Sequence, residues 1–237
     1  MTYNSLSMPT ETTYRTGYFL NLSEKISNIK SESEQEKIKQ LMLILRDHDH
    51  FTFEHSLRVA HFAYLLAVEV GLDANLRNDI FKSAMLHDIG KLFVPPEIIN
   101  RKSDNYLSKR EHDLLVAHGR MGAELLEELS FPEFYSLVAD QHWMGENKKD
   151  PPPQDLANRH WSVPYVTIAD VVASGFEFER KSQPDYKPEK IVKFINDRLD
   201  RNIFPRELKE PFNRLMFHGR HSYWYGRSVR NEHVMHR

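Results

Sequence analysis

Apolar residues recur along most of the chain at intervals of three and four positions, which is the period of an amphipathic helix rather than of a strand. Residues that commonly terminate helices mark several of the ends. Gly71 and Gly90 each follow an apolar stretch, as C-terminal caps do, and Ser108 with Glu111 has the spacing of a capping box. The pattern predicts nine helices, at residues 34–46, 54–70, 75–89, 108–117, 120–130, 133–143, 164–179, 187–200 and 205–217.

Three further stretches lie outside the predicted helices. Residues 1–33 read as an N-terminal arm and lead-in, and residues 218–237 as an aromatic and basic tail. Residues 147–159 are predicted to form a surface loop, because three consecutive prolines there disfavour a helix. The sequence therefore predicts one all-α domain over residues 34–217, flanked by two terminal segments.

The composition excludes several classes of site and of binding partner. The 237 residues include no cysteine, which excludes disulfides, zinc-thiolate sites and a cysteine nucleophile. The formal net charge of −2 provides no basic field for duplex nucleic acid or an acidic membrane. The chain has no apolar run of about 18 residues, and its first residues lack the pattern of a secretory signal, so we expect a cytoplasmic protein without a membrane span.

Ionisable residues recur at helix positions that should face the core. The helical spacing places five of them there, each in a different part of the predicted bundle: His55, His87, His118, His142 and Asp170. A buried imidazole or carboxylate is costly unless it is paired or bound to a metal. A shared metal centre explains all five residues together, and helix bundles build such centres from facing side chains.

The string HDIGK at residues 87–91 is the most specific local motif. Adjacent helical residues point about 100° apart, so His87 can bind one ion while the Asp88 carboxylate extends to a second. Gly90 is expected to end the helix and to let Lys91 turn back toward the same cavity. Nitrogen and oxygen donors without sulfur suit Fe, Mn, Zn, Ni or Co.

Four strings resemble the HD superfamily of metal-dependent phosphohydrolases, and most closely its HD-GYP branch, which hydrolyses cyclic di-GMP. They are HSLRVAHFA (55–63), HDIGK (87–91), HGRMGAELL (118–126) and VPYVTIADV (163–171). The resemblance implies a helical bundle around a central dinuclear site. It implies two divalent transition-metal ions held by His55, His87, Asp88, His118, His142 and Asp170.

The resemblance also implies a role for each group. Asp88 would be shared by both ions, the first completed by His55, His87 and Asp170 and the second by His118 and His142. Catalytic roles fall to Asp88 and Lys91, and substrate phosphate would be contacted by Arg58 and Lys91.

The chain departs from the HD-GYP pattern at several positions. The Gly-Tyr-Pro motif is absent, and Gln141 stands beside His142 where the branch has a second histidine. Phe51 replaces a glutamate, and Ala173 replaces a second aspartate. These losses argue against a third metal ion but leave the dinuclear set complete.

The resemblance predicts hydrolysis of a phosphoester. A hydroxide bridging the two ions would cleave a nucleotide or a cyclic dinucleotide, with cyclic di-GMP as one candidate. Two alternatives stay open: a di-iron oxygenase of the HD type, and a catalytically inactive binding or signalling module. A sensory partner protein or a homo-oligomer also stays open.

The nine other histidines and two tryptophans are interpreted as structural or solvent-exposed. His48, His50, His61 and His112 are expected at the surface or at hinges, and His160 and the tail histidines in solvent. Trp143 and Trp161 flank the proline-rich stretch and are expected to pack beneath it.

Overall fold

The computed structural model describes residues 22–101, 107–144, 151–176 and 188–217. Every regular element in these stretches is helical, which confirms the all-α prediction. The α-helices are α1 (22–27), α2 (Glu34–His48), α3 (His50–Val70), α4 (Ala74–Leu86), α5 (Pro96–Ile99), α6 (Lys109–Val116), α7 (His118–Glu128), α8 (Glu133–Gln141), α9 (Pro153–Asn158), α10 (Val163–Phe176), α11 (Pro188–Asp200) and α12 (Lys209–Phe217). Two 3₁₀ helices span Ile89–Phe93 and Arg206–Leu208. The predicted tail at 218–237 and most of the predicted arm lie outside the described residues.

Polar caps fix several helix ends. The Asp49 side chain accepts from Thr52 N at 3.0 Å and begins α3, and Ser108 and Glu111 form the predicted capping box of α6. At the end of α3, Gly71 has a φ of 86°, a left-handed conformation that glycine adopts without strain.

Two hydrophobic clusters form the core. The first joins α3, α4, α10, α11 and α12 and includes the fully buried Phe62, Phe204 and Phe212. The second joins α1, α2, the first 3₁₀ helix, α7 and α8 and includes Leu41 and Tyr135. Burial of each such side chain stabilises the folded protein by about 1.5–3 kcal/mol relative to leaving the side chain exposed. No helix in the described residues is both long and apolar enough to span a membrane.

Two helix predictions and one loop prediction need correction. α3 begins at His50 rather than residue 54, because Asp49 supplies the cap. α4 ends at Leu86, so Gly90 lies inside a 3₁₀ helix and is not a C-terminal cap. The proline-rich stretch contains α9, because Pro153 occupies its first turn, where a missing N–H costs no hydrogen bond.

Candidate metal centre

The structure brings the six predicted ligands together where the two core clusters meet. Five elements supply them: α3, the end of α4, the start of α7, the end of α8 and the middle of α10. Five side chains are buried: His55, His87, Asp88, His142 and Asp170. The sixth, His118, leaves 14% of its side chain exposed and lies at the opening of the site.

Asp88 stands at the centre, and its two oxygens face different partners. Oδ1 lies 3.1 Å from His118 Nε2 and 3.8 Å from His142 Nε2. Oδ2 lies 3.5 Å from His87 Nε2 and 3.8 Å from His55 Nε2. A carboxylate in this position can bind one ion through each oxygen.

The donors form two overlapping groups. Ligand atoms of His55, His87 and Asp170 lie within 4.8 Å of one another, and so do those of His87, Asp88 and His142. His55 Nε2 lies 2.8 Å from Asp170 Oδ1, and His118 joins the second group with its Nε2 at 3.2 Å from His142 Nε2. His87 belongs to both groups, whereas the sequence prediction assigns it to one ion.

Backbone hydrogen bonds orient three of the imidazoles. His87 Nδ1 donates to the Ala84 carbonyl at 2.7 Å, and His142 Nδ1 donates to the Ala139 carbonyl at 2.8 Å. His118 Nδ1 makes the equivalent bond to the carbonyl three residues before it. Because Nδ1 carries the hydrogen in each ring, Nε2 presents a lone pair to the centre, as metal-binding histidines do.

These lone pairs fit a bound cation. Burial, together with the neighbouring His87 and His118, lowers the pKa of His142 to about 3, so a proton does not supply the positive charge at neutral pH. His87 Nε2 is buried without a hydrogen-bond partner. Two nitrogens bound to one ion at about 2.0–2.1 Å lie about 2.8–3.4 Å apart, which matches the 3.2 Å between His118 and His142.

The structure places the two predicted phosphate-binding residues differently. Lys91 Nζ lies 2.5 Å from Asp88 Oδ2, with 16% of the Lys91 side chain exposed. Burial alone raises the pKa of Asp88, but Lys91, His87 and His118 together hold it well below its ordinary value. Arg58 is half-buried and lies 3.6 Å from Glu54 on the same helix. A phosphate contact by either residue stays a prediction.

Gly90 allows Asp88 to approach α7. A Cβ at residue 90 would lie 1.9 Å from the His118 carbonyl oxygen and 2.5 Å from Gly122 N. No other residue permits this contact without displacing the backbone. Gly119 allows a similar approach to α8, where a Cβ would lie 2.9 Å from the Ala139 oxygen.

Sequence reasoning missed three supporting residues. His48 is half-buried and contacts the HDIGK segment, and the buried Thr167 donates to the His142 carbonyl at 2.6 Å, joining α8 to the helix of Asp170. A buried threonine in the apolar string VPYVTIADV was the available signal for the second. His160 is also half-buried rather than solvated, and its backbone N–H donates to Gln141.

The remaining predictions for single residues are mixed. His50, His61 and His112 are exposed as predicted. Trp143 and Trp161 remain 43% and 44% exposed, so they are not packed beneath a loop in the described part of the chain. The tail histidines lie outside it.

Comparison with models of known protein families identifies the family of this chain. The model of the HD domain matches residues 52–202, more than half of the sequence. The chain belongs to the HD domain family. This HD domain contains all six converging ligands and Lys91.

Two curated relatives and one solved structure are similar to this HD domain. A cyclic di-GMP phosphodiesterase of Thermotoga maritima is 22% identical over 219 residues, covering 85% of this chain and 57% of that protein. A 3'3'-cGAMP-specific phosphodiesterase 1 of Vibrio cholerae is 36% identical over 66 residues, covering 26% of this chain and 15% of that protein. The chain thus spans little more than half of the first relative and a smaller part of the second.

The solved structure is the HD domain of the L. monocytogenes phosphodiesterase PgpH in complex with cyclic-di-AMP. It superposes with a TM-score of 0.55 at 20% sequence identity, covering 74% of this chain and 94% of that domain. The likeness confirms the HD fold.

Proposed function

We propose that this HD domain is a metal-dependent phosphodiesterase that hydrolyses a cyclic dinucleotide. The observation that carries the proposal is the position of Asp88, whose two oxygens face separate groups of imidazoles while Lys91 lies beside it. An arrangement that can hold two cations and adds an ammonium group suits an anionic phosphodiester better than a neutral substrate.

The residues fit two divalent ions. His55, His87, Asp170 and Asp88 Oδ2 would hold one, and Asp88 Oδ1, His118 and His142 the other. When bound, such ions supply charge opposite the phosphate and lower the pKa of water toward neutrality. The fixed imidazole tautomers mean that these side chains need no reorganisation to present their donors.

Lys91 contributes a positive charge from the protein itself at the solvent-exposed edge of the site. Its ammonium keeps Asp88 ionised, so the carboxylate is available as a ligand. Because part of the Lys91 side chain reaches solvent, it can also contact a phosphoryl oxygen and stabilise the charge that develops there. Arg58 would add a second cation from α3 after leaving Glu54.

The relatives support the substrate class. Both curated relatives are named as phosphodiesterases of cyclic dinucleotides, and the superposed domain was solved with cyclic-di-AMP. The missing Gly-Tyr-Pro motif leaves the choice of base open among guanine, adenine and mixed dinucleotides. Sensory input through a partner protein or a second copy stays a prediction.

A substrate and metal screen tests the proposal. The purified full chain is loaded separately with Mn²⁺, Fe²⁺, Zn²⁺, Ni²⁺ and Co²⁺ and incubated with cyclic di-GMP, cyclic di-AMP and 3'3'-cGAMP. We expect the linear dinucleotide as product with at least one metal and none after chelation. Consumption of oxygen by a di-iron form without hydrolysis would favour the oxygenase, and binding without turnover would favour the inactive module.

A further inference from the structure

The junction between α2 and α3 contacts the segment that follows the HD motif. His48, the last residue of α2, is half-buried, and its Nε2 lies 3.0 Å from the Lys91 carbonyl and 2.9 Å from the Val94 carbonyl. One Nε2–H therefore donates to both oxygens. The contact joins residues 43 and 46 positions apart in sequence.

The Lys91 carbonyl lies within the first 3₁₀ helix, and the Val94 carbonyl belongs to the residue that follows this helix. Within this segment Lys91 N donates to Asp88 O at 2.9 Å, and Val94 N donates to Lys91 O at 3.0 Å. A 3₁₀ helix this short is held by few internal bonds of poor geometry. The imidazole of His48 thus supplies a long-range anchor at the residue whose side chain enters the metal centre.

The next residue ties the same junction to α3. Asp49 is buried, caps the helix that carries His55, and accepts from Asn100 Nδ2 at 2.8 Å. His48 bonds to the HDIGK segment and Asp49 caps α3, so both the segment and the helix that carries His55 are attached to the same α2–α3 junction. A lysine side chain has four rotatable methylene bonds, so its ammonium is placed accurately only when its backbone is fixed.

We propose that His48 is a positioning residue that holds the Lys91 backbone so that the ammonium stays on Asp88 and at the opening of the site. The inference rests on the proposed function for its catalytic consequence, but the placement of Lys91 can be measured without a substrate.

Chemical labelling of Lys91 tests the placement. Reductive methylation of the full chain is followed by mass spectrometry in wild type, His48→Leu, His48→Gln and the control His50→Gln, which alters an exposed histidine. We expect Lys91 to react about tenfold faster in His48→Leu and at the wild-type rate in His48→Gln, whose amide keeps the N–H donors. Lys82, paired with Glu34 at 2.7 Å, is the internal standard and should not change.

A double-mutant cycle tests the catalytic consequence. On the cyclic dinucleotide that wild type cleaves, we expect His48→Leu to lower kcat about tenfold to a hundredfold with little change in KM, and His48→Gln to restore it. In a Lys91→Ala background the same change should cost less than about twofold. An equal loss in both backgrounds, or no recovery with Gln, overturns the proposal.

Two outcomes separate this inference from the proposed function. If wild type cleaves no dinucleotide, the proposed function fails, and the labelling rates alone decide the role of His48. Unchanged Lys91 reactivity in His48→Leu overturns the positioning role whatever the activity. If His48→Leu does not fold, His48→Asn replaces it, because the shorter amide cannot reach both carbonyls.

Discussion

The two sides of the metal centre hold their charges in different ways. On one side His55 Nε2 lies 2.8 Å from Asp170 Oδ1, so an imidazole nitrogen faces a carboxylate. On the other side His118 and His142 direct two lone pairs at each other across 3.2 Å. The first side thus sets a carboxylate beside an imidazole, whereas the second sets two imidazole nitrogens side by side.

The sides also differ in the number of donors. The His55–Asp170 side can offer two imidazoles and two carboxylate groups when Asp88 is included. The His118–His142 side has two imidazoles and only the other oxygen of Asp88. Because carboxylates add charge attraction to coordination, we expect the first side to bind its ion more tightly. Asp88 is the one carboxylate among the six predicted ligands whose two oxygens face different sides, and His87 has its ligand atom within reach of both groups.

Removing the shared carboxylate should have the largest effect. Asp88→Asn leaves each side without one negative oxygen, so we expect loss of both ions and a fall in turnover of at least about a thousandfold. Metal content by plasma mass spectrometry and dinucleotide cleavage measure this, with the exposed Asp113→Asn as matched control. Retention of two ions at full activity would contradict the shared role.

A change confined to one side should separate the two ions. We expect His142→Ala to lose the ion of the His118–His142 side, to keep about one ion per chain, and to lower turnover at least about a hundredfold. The exposed His112→Ala serves as control. If His142→Ala loses both ions or neither, the sides are not independent as described.

Gly90 connects the two sides through backbone contact, and its substitution should destabilise the fold. In Gly90→Ala the new Cβ meets backbone at 1.9 Å, so we expect a loss of about 3 kcal/mol or more in the free energy of unfolding. In Gly71→Ala nothing lies within 4 Å, and only the left-handed backbone costs about 1–2 kcal/mol. Denaturant unfolding compares them; equal losses would argue against the tight contact.

The smallest expected effect is on how the free energy of unfolding changes with pH. Burial lowers the pKa of His48 below its ordinary 6.5, and the bonds to Val94 and Lys91 offset this only in part. The unfolded chain therefore takes up a proton at residue 48 where the folded chain does not, so this contribution to stability is present above pH 6.5 and is lost as pH falls below it.

The comparison is between wild type and His48→Gln, whose amide does not titrate. Unfolding free energies measured from about pH 7 to about pH 5 should fall more steeply for wild type. If the plots of unfolding free energy against pH are parallel for the two proteins, His48 does not contribute to the pH dependence of stability.

The HDIGK string pointed to Asp88, and sequence periodicity predicted most of the helices and placed the other five ligands at core-facing positions: His55, His87, His118, His142 and Asp170. Those residues were identifiable because a polar group on an apolar helix face is costly and therefore informative. The roles of Gly90, His48 and Thr167 could not be predicted from the sequence, because each depends on a contact with a backbone atom far away in sequence. α9 was missed because prolines that break a helix interior also suit a first turn.

The most direct test of a two-ion centre shared through Asp88 is electron paramagnetic resonance of the Mn²⁺-loaded full chain, with metal content measured on the same sample. We expect two Mn²⁺ per chain and the spectrum of two exchange-coupled ions, and we expect this coupling to disappear in Asp88→Asn. One ion per chain, or two ions with uncoupled spectra, would contradict the shared centre.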